Sequence, residues 1–135
     1  MTDWVAPIER AREELRAARA LLRAGLPSQA VSRSYSAGFH AATATLLALG
    51  ETYATETAVI SAFGRRAVGE QGVDQAGART LRKLYEDRND VDYALMPASE
   101  DEARRAIDGA DRLVNSAVRW LSKRPKPRAE LRSTG

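Results

Sequence analysis

The chain has 135 residues, no cysteine and one histidine, and its formal charge at pH 7 is +3. The lack of cysteine excludes disulfides, thiolate nucleophiles and Cys-ligated zinc, and one histidine leaves little for a His-based metal site, so we expect no metal and no cofactor. No apolar run approaches about 18 residues, and the start lacks the layout of a secretory signal, which indicates a cytoplasmic protein without a membrane segment.

Length and composition fit one domain with a single core over residues 1–122. Residues 123–135 differ in composition, because five cations face one glutamate there and two prolines interrupt any helix. We predict a basic, disordered tail. Its simplest interpretation is a solvated end that aids solubility, and the alternative is an arm that attracts phosphates.

The first two predicted helices are recognised by their apolar seams and their stop signals. Helix one ends near Ala24, because Gly25 can adopt the left-handed conformation that stops a helix. Helix two begins at Pro27, which suits a first turn, and runs to about Leu49 before Gly50 closes it. The two seams, spaced by three and four residues, are Trp4, Ile8, Ala11, Leu15, Ala18 and Leu22, then Val31, Tyr35, Gly38, Ala42, Leu46 and Leu49.

Caps and helix breakers mark the remaining three helices. Helix three begins at Thr55, whose side chain can cap it, and glycines weaken its later part. Helix four covers about residues 74–92, and Pro97 ends any continuation. Ser99 followed by Glu102 is a capping-box pattern that starts helix five. With no alternating strand pattern, the sequence predicts an all-α protein, an antiparallel up-and-down bundle of four or five helices.

The fourth helix carries charges where a buried apolar stripe is expected. At helical spacing, Arg88 and Asp92 share one face with apolar and aromatic residues. A guanidinium withdrawn from water is costly unless it is paired, and Asp92 is its nearest partner along the chain. Arg88 is therefore either half of an internal ion pair, joined by the hydroxyl of Tyr35 or Tyr93, or a cation aimed into a cleft. This face consists of Leu81, Tyr85, Arg88, Asp92 and Leu95.

Two motifs resemble those of HEPN-domain proteins. The run Ser-Arg-Ser-Tyr-Ser-Ala-Gly-Phe-His-Ala-Ala at residues 32–42, followed by Leu46, Leu47 and Gly50, is similar to the second-helix signature of that family. The later run Asp-Arg-Asn-Asp-Val-Asp-Tyr at residues 87–93 resembles its Arg-centred motif. The two motifs agree in order and spacing, and the resemblance covers helices two to five.

The resemblance implies an all-helical bundle, usually a homodimer, in a family that includes metal-independent ribonucleases. Many members are toxins or defence proteins, often encoded beside a minimal nucleotidyltransferase. In the ribonuclease branch, an arginine followed after four to six residues by a histidine supplies the site, and two copies meet across the dimer cleft. This chain departs from the pattern, because Tyr93 stands where four intervening residues after Arg88 should lead to histidine, and no histidine follows His40.

Metal-free cleavage of RNA needs a general base, a general acid and a cation that stabilises the charged phosphorane. Arg88 could be the cation, but a tyrosine pKa is ordinarily about 10, so Tyr93 would be a poor base. His40 lies beside the main seam and could replace the missing general base if it approached Arg88. The alternative is that His40 has only a structural role, and the same alternative holds for Asn89 and Tyr35. The candidate catalytic residues are Arg88, Tyr93 and Asp92, and the candidate binding residues are Arg88, Asn89, His40 and Tyr35.

Three functions are compatible with these residues. The first is a HEPN homodimer that acts as a nucleotide- or RNA-binding or interaction partner in a toxin-antitoxin or defence-type system, alongside a minimal nucleotidyltransferase. The second is a metal-independent ribonuclease toxin that uses the Arg88-centred motif. The third is a structural helical bundle with no role in nucleic-acid binding.

Overall fold

A computed structural model describes residues 3–125, and helices account for most of this range. No strand occurs between residues 3 and 125, so the predicted all-α bundle is confirmed. From residue 126 onward, the predicted tail lies outside the described residues. The helices are α1 (Val5–Arg23), α2 (Pro27–Ala48), α3 (Glu56–Ala62) with a π-helical continuation (Phe63–Glu70), α4 (Gly77–Asp92) and α5 (Glu100–Ser122).

The predicted ends of the first two helices are confirmed. Gly25 adopts a left-handed conformation with φ of 79°, and the N–H of Leu26 donates to the carbonyl of Leu21 at 2.9 Å. This bond satisfies a carbonyl that the helix itself leaves without a partner. Gly50 has φ of 80° and ends α2 in the same way. The two glycines therefore set where the chain turns back on itself.

The third helix keeps its predicted start but changes its geometry. The Oγ1 atom of Thr55 accepts a hydrogen bond from the N–H of Ala58 at 3.1 Å, so Thr55 caps α3 as predicted. The later glycines do not end the helix, which continues with π-type geometry over Phe63–Glu70. A Cβ at Gly69 would lie 3.3 Å from the carbonyl oxygen of Gly64. The apolar spacing predicted this segment without indicating its wider turns.

Helix α2 lies at the centre of the bundle and packs against α1, α4 and α5. It approaches α4 and α5 closely at Gly38, where a Cβ would lie 3.2 Å from Leu84 Cδ1 and 3.3 Å from Leu113 Cδ2. Tyr35 precedes Gly38 by one turn and is buried, with 3% of its surface exposed. The close packing at Gly38 thus fixes the position of Tyr35 relative to α4.

One carboxylate is buried between α1 and α2. The side chain of Glu14 is 3% exposed, and it accepts hydrogen bonds at 2.9 Å from Arg33 Nη1 and from Arg10 Nε. Burial raises the pKa of the Glu14 carboxyl, but the bonds to Arg33 and Arg10 and their positive charge outweigh burial and lower the pKa overall. The apolar seam of α1 gave no indication of this ion pair.

Glu14 is expected to make folding sensitive to acid. A carboxyl whose folded-state pKa is depressed contributes stability that is present above its unfolded value of about 4.3 and is lost as pH falls through the folded value. The Glu14→Gln variant should therefore lose less unfolding free energy than the parent protein between about pH 5 and pH 3. Urea unfolding at each pH measures the difference.

Asp111→Asn is the matched control, because Asp111 is 40% exposed and pairs with Arg19 near the surface. We expect its acid profile to follow that of the parent protein. Equal acid profiles for Glu14→Gln and the parent would contradict the role of Glu14 in acid sensitivity.

Candidate Arg88 site

Arg88 lies on α4 at the junction with α2 and α3, and its side chain is 14% exposed. Its Nη2 atom donates to Glu56 Oε1 at 2.9 Å, and its Nε atom donates to Asn89 Oδ1 at 3.0 Å. Glu56 is the first residue of α3. The ion pair predicted between Arg88 and Asp92 is therefore wrong, because a carboxylate from another helix takes that place.

Asp92 and the residues after it turn away from the predicted face. Asp92 is exposed and accepts a hydrogen bond from Ser32 Oγ at 2.6 Å. Helix α4 ends at Asp92, and Leu95 adopts φ of 55° with 79% of its surface exposed. The buried face that was predicted to continue through Leu95 therefore stops at Arg88, since the chain leaves the helical register four residues later.

Three tyrosine rings surround the Arg88 guanidinium. Its Cζ atom lies 4.6 Å from the ring centroid of Tyr35, 5.4 Å from that of Tyr93 and 5.6 Å from that of Tyr85. All three distances lie within the range of cation–π attraction. We define the Arg88 cluster as Arg88 with Glu56, Asn89, Tyr35, Tyr85 and Tyr93.

Hydrogen bonds fix the protonation of the carboxylate and of the phenol beside Arg88. The hydroxyl of Tyr35 donates to Glu56 Oε1 at 2.7 Å. Burial, and then this bond to Glu56, raises the pKa of Tyr35 well above its ordinary value. The hydrogen bond from Tyr35 lowers the pKa of Glu56, and Arg88 lowers it further. At neutral pH, Glu56 is therefore ionised and Tyr35 remains a proton donor.

The Arg88 cluster has one side open to water. Glu56 is 46% exposed and Tyr93 is 73% exposed, whereas Tyr35 is buried. Tyr93 directly follows the last residue of α4. A ligand from solution would therefore meet the Tyr93 ring and the Glu56 carboxylate before it reached the guanidinium.

The structure does not bring His40 to the Arg88 cluster within one copy of the chain. Burial lowers the pKa of His40, Arg10 lowers it further, and Glu14 opposes the change. The charges that act on His40 thus belong to α1 and to the buried ion pair of Glu14. The centroid of the His40 ring lies 6.1 Å from that of the Phe39 ring, in an edge-on arrangement.

Sequence reasoning missed Glu56 as a member of the site. Glu56 lies 32 residues from Arg88 along the chain and follows the capping residue Thr55. Acidic residues are common in the first turn of a helix, because they interact favourably with its positive end. That ordinary explanation concealed the ion pair, and no spacing rule connects a residue on α3 with a residue on α4.

Neither a metal site nor a membrane span is visible in residues 3–125. Over this range, no group of three or more His, Asp and Glu side chains could hold a metal ion. No helix within the same range is long and apolar enough to cross a lipid bilayer.

Fold and site together define an all-α bundle with a tyrosine-enclosed arginine at the end of its fourth helix. The sequence profile of the HEPN domain matches residues 4–121. This chain belongs to the HEPN family, which confirms the family that the two motifs predicted.

Three relatives are similar over most of their length. A UPF0332 protein of Gloeobacter violaceus is 43% identical over 122 residues, which cover 86% of this chain and 94% of the relative. A Methanocaldococcus jannaschii protein named "Putative toxin MJ0605" is 36% identical over 116 residues, or 86% and 87% of the two chains. A UPF0332 protein of Thermotoga maritima is 30% identical over 118 residues, which cover 82% of this chain and 89% of the relative.

Proposed function

We propose that this protein is a cytoplasmic HEPN homodimer of a toxin-antitoxin or defence-type system, and that its Arg88 cluster binds RNA phosphates. The toxin name of the Methanocaldococcus relative supports the class of system. The observation that carries the proposal is the Arg88 guanidinium, which is held in place by Glu56 and three tyrosine rings at a surface open on one side.

The geometry of Arg88 suits a phosphodiester. Within the described residues, Nε and Nη2 make hydrogen bonds, while Nη1 makes none. Arginine presents its donors in a planar fork that matches phosphate oxygens. The exposed ring of Tyr93 lies beside this fork, and single-stranded RNA commonly stacks its bases on such rings. Phosphate contact and base stacking can thus occur at adjacent side chains.

An exposed apolar edge beside the Arg88 cluster supports a protein partner. Tyr93, Leu95 and Met96 are 73%, 79% and 56% exposed. Large apolar side chains grouped on a surface commonly mark a protein contact. We assign this edge to the partner protein, which the family resemblance implies is a minimal nucleotidyltransferase. Its binding there would cover the open side of the Arg88 cluster.

A metal-independent ribonuclease is the second candidate. Arg88 would stabilise the phosphorane, and the adjacent ionised carboxylate of Glu56 would accept the proton of the ribose hydroxyl. The phenol of Tyr93 would then protonate the leaving oxygen. The lowered pKa of Glu56 makes it a weak base, so this candidate predicts slow cleavage.

Fluorescence anisotropy with labelled single-stranded RNA tests the first proposal. We expect binding that weakens as salt rises, as phosphate contacts require. Tyr93→Phe keeps the stacking ring and should bind like the parent protein, whereas Tyr93→Ala should bind more weakly. Tyr53→Ala is the matched control, because Tyr53 is an exposed tyrosine outside the Arg88 cluster. No detectable binding at low salt would overturn the proposal.

Gel analysis of the same RNA in the presence of EDTA separates the two candidates. Intact RNA would leave RNA binding as the function. Cleavage that is lost in Glu56→Gln and in Tyr93→Phe would establish the ribonuclease. Retention of cleavage in both variants would exclude Glu56 as the base and Tyr93 as the acid.

A further inference from the structure

A groove lies between α4 and α5, and we call it the α4/α5 groove. It has a volume of about 670 Å³, within the range of about 300 to 1,000 Å³ that is usual for small-molecule sites. Its lining follows α4 from Ala76 to Asp87, a length of about 16 Å at 1.5 Å per residue. The charged residues that line it are the cations Arg79, Arg82, Lys83, Arg105 and Arg112 and the carboxylates Glu86, Asp87 and Glu102.

Most of the positive charge in the groove is not paired within the chain. Lys83 Nζ lies 2.7 Å from Asp87 Oδ1, so these two charges satisfy one another. Glu102 Oε1 accepts a hydrogen bond from the N–H of Ser99 at 2.8 Å and serves the cap of α5. Over residues 3–125, no carboxylate lies within 4.0 Å of the side-chain nitrogens of the four lining arginines. The groove therefore has guanidinium groups available for an anion.

Three of these arginines meet at one end of the groove. Arg112 Nη2 donates to Thr80 Oγ1 at 3.2 Å, and a Cβ at Gly109 would lie 3.3 Å from Thr80 Cγ2. The two helices are thus close together at the height of Thr80. Arg79 and Arg82 lie one turn apart on the α4 side of the groove, just before and just after Thr80. We call this part of the groove the Thr80 end.

The donors of the Thr80 end favour phosphate groups. A guanidinium presents its donors in a planar fork that matches the oxygens of a phosphate. The hydroxyl of Thr80 can supply one further hydrogen bond. A single phosphate cannot reach three forks that are spread over two helices, whereas a chain of linked phosphates can. The Thr80 end therefore suits an oligophosphate better than orthophosphate.

A helix of a partner protein suits the groove less well. Protein contacts draw most of their binding energy from large side chains that fill pockets. Below the groove, Leu84 and Ala106 are already buried. A partner helix would therefore meet charged rims without an apolar anchor. Within residues 3–125, the exposed large apolar side chains lie elsewhere, at Leu26, Tyr53, Tyr93, Leu95 and Met96.

The other end of the groove limits the length of an anionic ligand. Glu86 lies one turn beyond Arg82 on α4, and Asp87 and Glu102 both line that end. Their charge would repel the phosphates of an RNA strand that followed the whole groove. A short chain of phosphates would stay at the Thr80 end and avoid this repulsion.

We propose that the Thr80 end of the α4/α5 groove binds a short chain of linked phosphates, with Arg79, Arg82 and Arg112 as the contacting side chains. Inorganic tripolyphosphate and the triphosphate of a nucleotide share this chemistry. Arg79 and Arg88 are nine residues apart, which at about 100° per residue places them on opposite sides of α4. The family resemblance places the dimer cleft at the Arg-centred motif, so the groove would stay open to solvent in a homodimer.

Isothermal titration calorimetry with sodium tripolyphosphate at low salt tests the proposal. We expect one bound molecule per chain and an affinity that falls as salt rises. Arg82→Gln and Arg112→Gln should each raise the Kd at least about tenfold, because each removes a charge-assisted contact with a phosphate. Orthophosphate should bind at least about tenfold more weakly than tripolyphosphate.

Arg119→Gln is the matched control. Arg119 is an exposed arginine of α5 outside the groove, and its Nη2 donates to Ser116 Oγ at 3.2 Å, just as Arg112 Nη2 donates to Thr80. The control thus removes the same charge and the same kind of hydrogen bond, and it should bind tripolyphosphate like the parent protein. Circular dichroism checks that every variant is folded. Equal losses in Arg119→Gln and Arg112→Gln would reduce the effect to net charge and overturn the site.

ATP without magnesium separates the two sources of linked phosphates. Equal affinity for ATP and tripolyphosphate would assign the site to the phosphates alone. Tighter binding of ATP that Glu86→Gln abolishes would add a contact between the nucleoside and the acidic end of the groove. Either result supports the site, provided that Arg112→Gln weakens both ligands. A parent protein that shows neither a heat of binding nor a rise in Tm with tripolyphosphate would overturn it.

This inference goes beyond the proposed function and does not depend on it. Tripolyphosphate binding should be unchanged in Arg88→Ala, and RNA anisotropy should be unchanged in Arg112→Gln. Failure of one site would therefore leave the other standing. If Arg112→Gln weakened RNA binding as much as it weakened tripolyphosphate binding, the groove would be part of an RNA path, and the separate oligophosphate site would be overturned.

Discussion

Replacing Arg88 with alanine is expected to weaken RNA binding at least about tenfold while lowering the unfolding free energy by only about 1 to 2 kcal/mol. The guanidinium supplies the positive charge of the proposed phosphate site, so its loss removes a charge-assisted contact. The stability cost stays small because Glu56 is 46% exposed and regains water when its partner is removed. A fully buried carboxylate left without its partner would cost about 3 to 5 kcal/mol.

Urea unfolding and RNA anisotropy on the same samples measure the two effects. Arg104→Ala is the matched control, because Arg104 is 57% exposed and, within residues 3–125, pairs only with carboxylates one turn away on α5. Arg88→Lys keeps the charge but not the planar fork, so its binding should be intermediate. Reduced stability together with unchanged RNA binding would identify the Arg88 cluster as structural and favour a helical bundle with no role in nucleic-acid binding.

Replacing Phe63 with alanine is expected to lower the unfolding free energy by about 3 to 5 kcal/mol. Phe63 is completely buried at the point where α3 changes to π geometry. Its Cε2 atom lies 3.3 Å from where a Cβ at Gly77 would stand, so the ring packs α3 onto the start of α4. Removal of the ring leaves a cavity that the closely packed glycine cannot fill.

Chemical denaturation measures this loss, with Leu26→Ala as the control at a residue that is 42% exposed. The control should change the unfolding free energy by less than about 0.5 kcal/mol. Because the Phe63 ring anchors α3, which also carries Glu56, the Phe63→Ala protein should show faster amide exchange over residues 56–62. A loss below about 1 kcal/mol would contradict the anchoring role of Phe63.

The fold could be predicted because its signals are local. Gly25 and Gly50 needed only their own backbone conformations to end helices, and the seams repeat over several turns. The capping box at Ser99 and Glu102 forms as predicted, with bonds of 3.0 and 2.8 Å. Each of these signals lies within a few residues of the feature that it predicts.

The site could be predicted only in part, because its partners are not local. Arg88, Asn89, Tyr35 and Tyr93 were named as candidate site residues, and Tyr85 was placed on the same helix face as Arg88. The carboxylate on α3 was missed, since nothing in the sequence relates its helix to Arg88. The assignment of Asp92 as its partner was wrong for the same reason: Asp92 still lies within α4, but Ser32 of α2 bonds to it, and Glu56 of α3 takes its place beside Arg88.

The bond between Glu56 and Arg88 means that any arriving anion meets a guanidinium already occupied by an internal competitor. A phosphate can contact Nη1 directly, but it completes the planar fork only by displacing that carboxylate from Nη2. For a single free phosphate, this exchange returns little net free energy. A polymer whose neighbouring groups hold it at the surface presents its phosphates at high effective concentration and can displace the carboxylate repeatedly. The proposed site would therefore discriminate long strands from the pool of free nucleotides through competition, without any pocket that measures length.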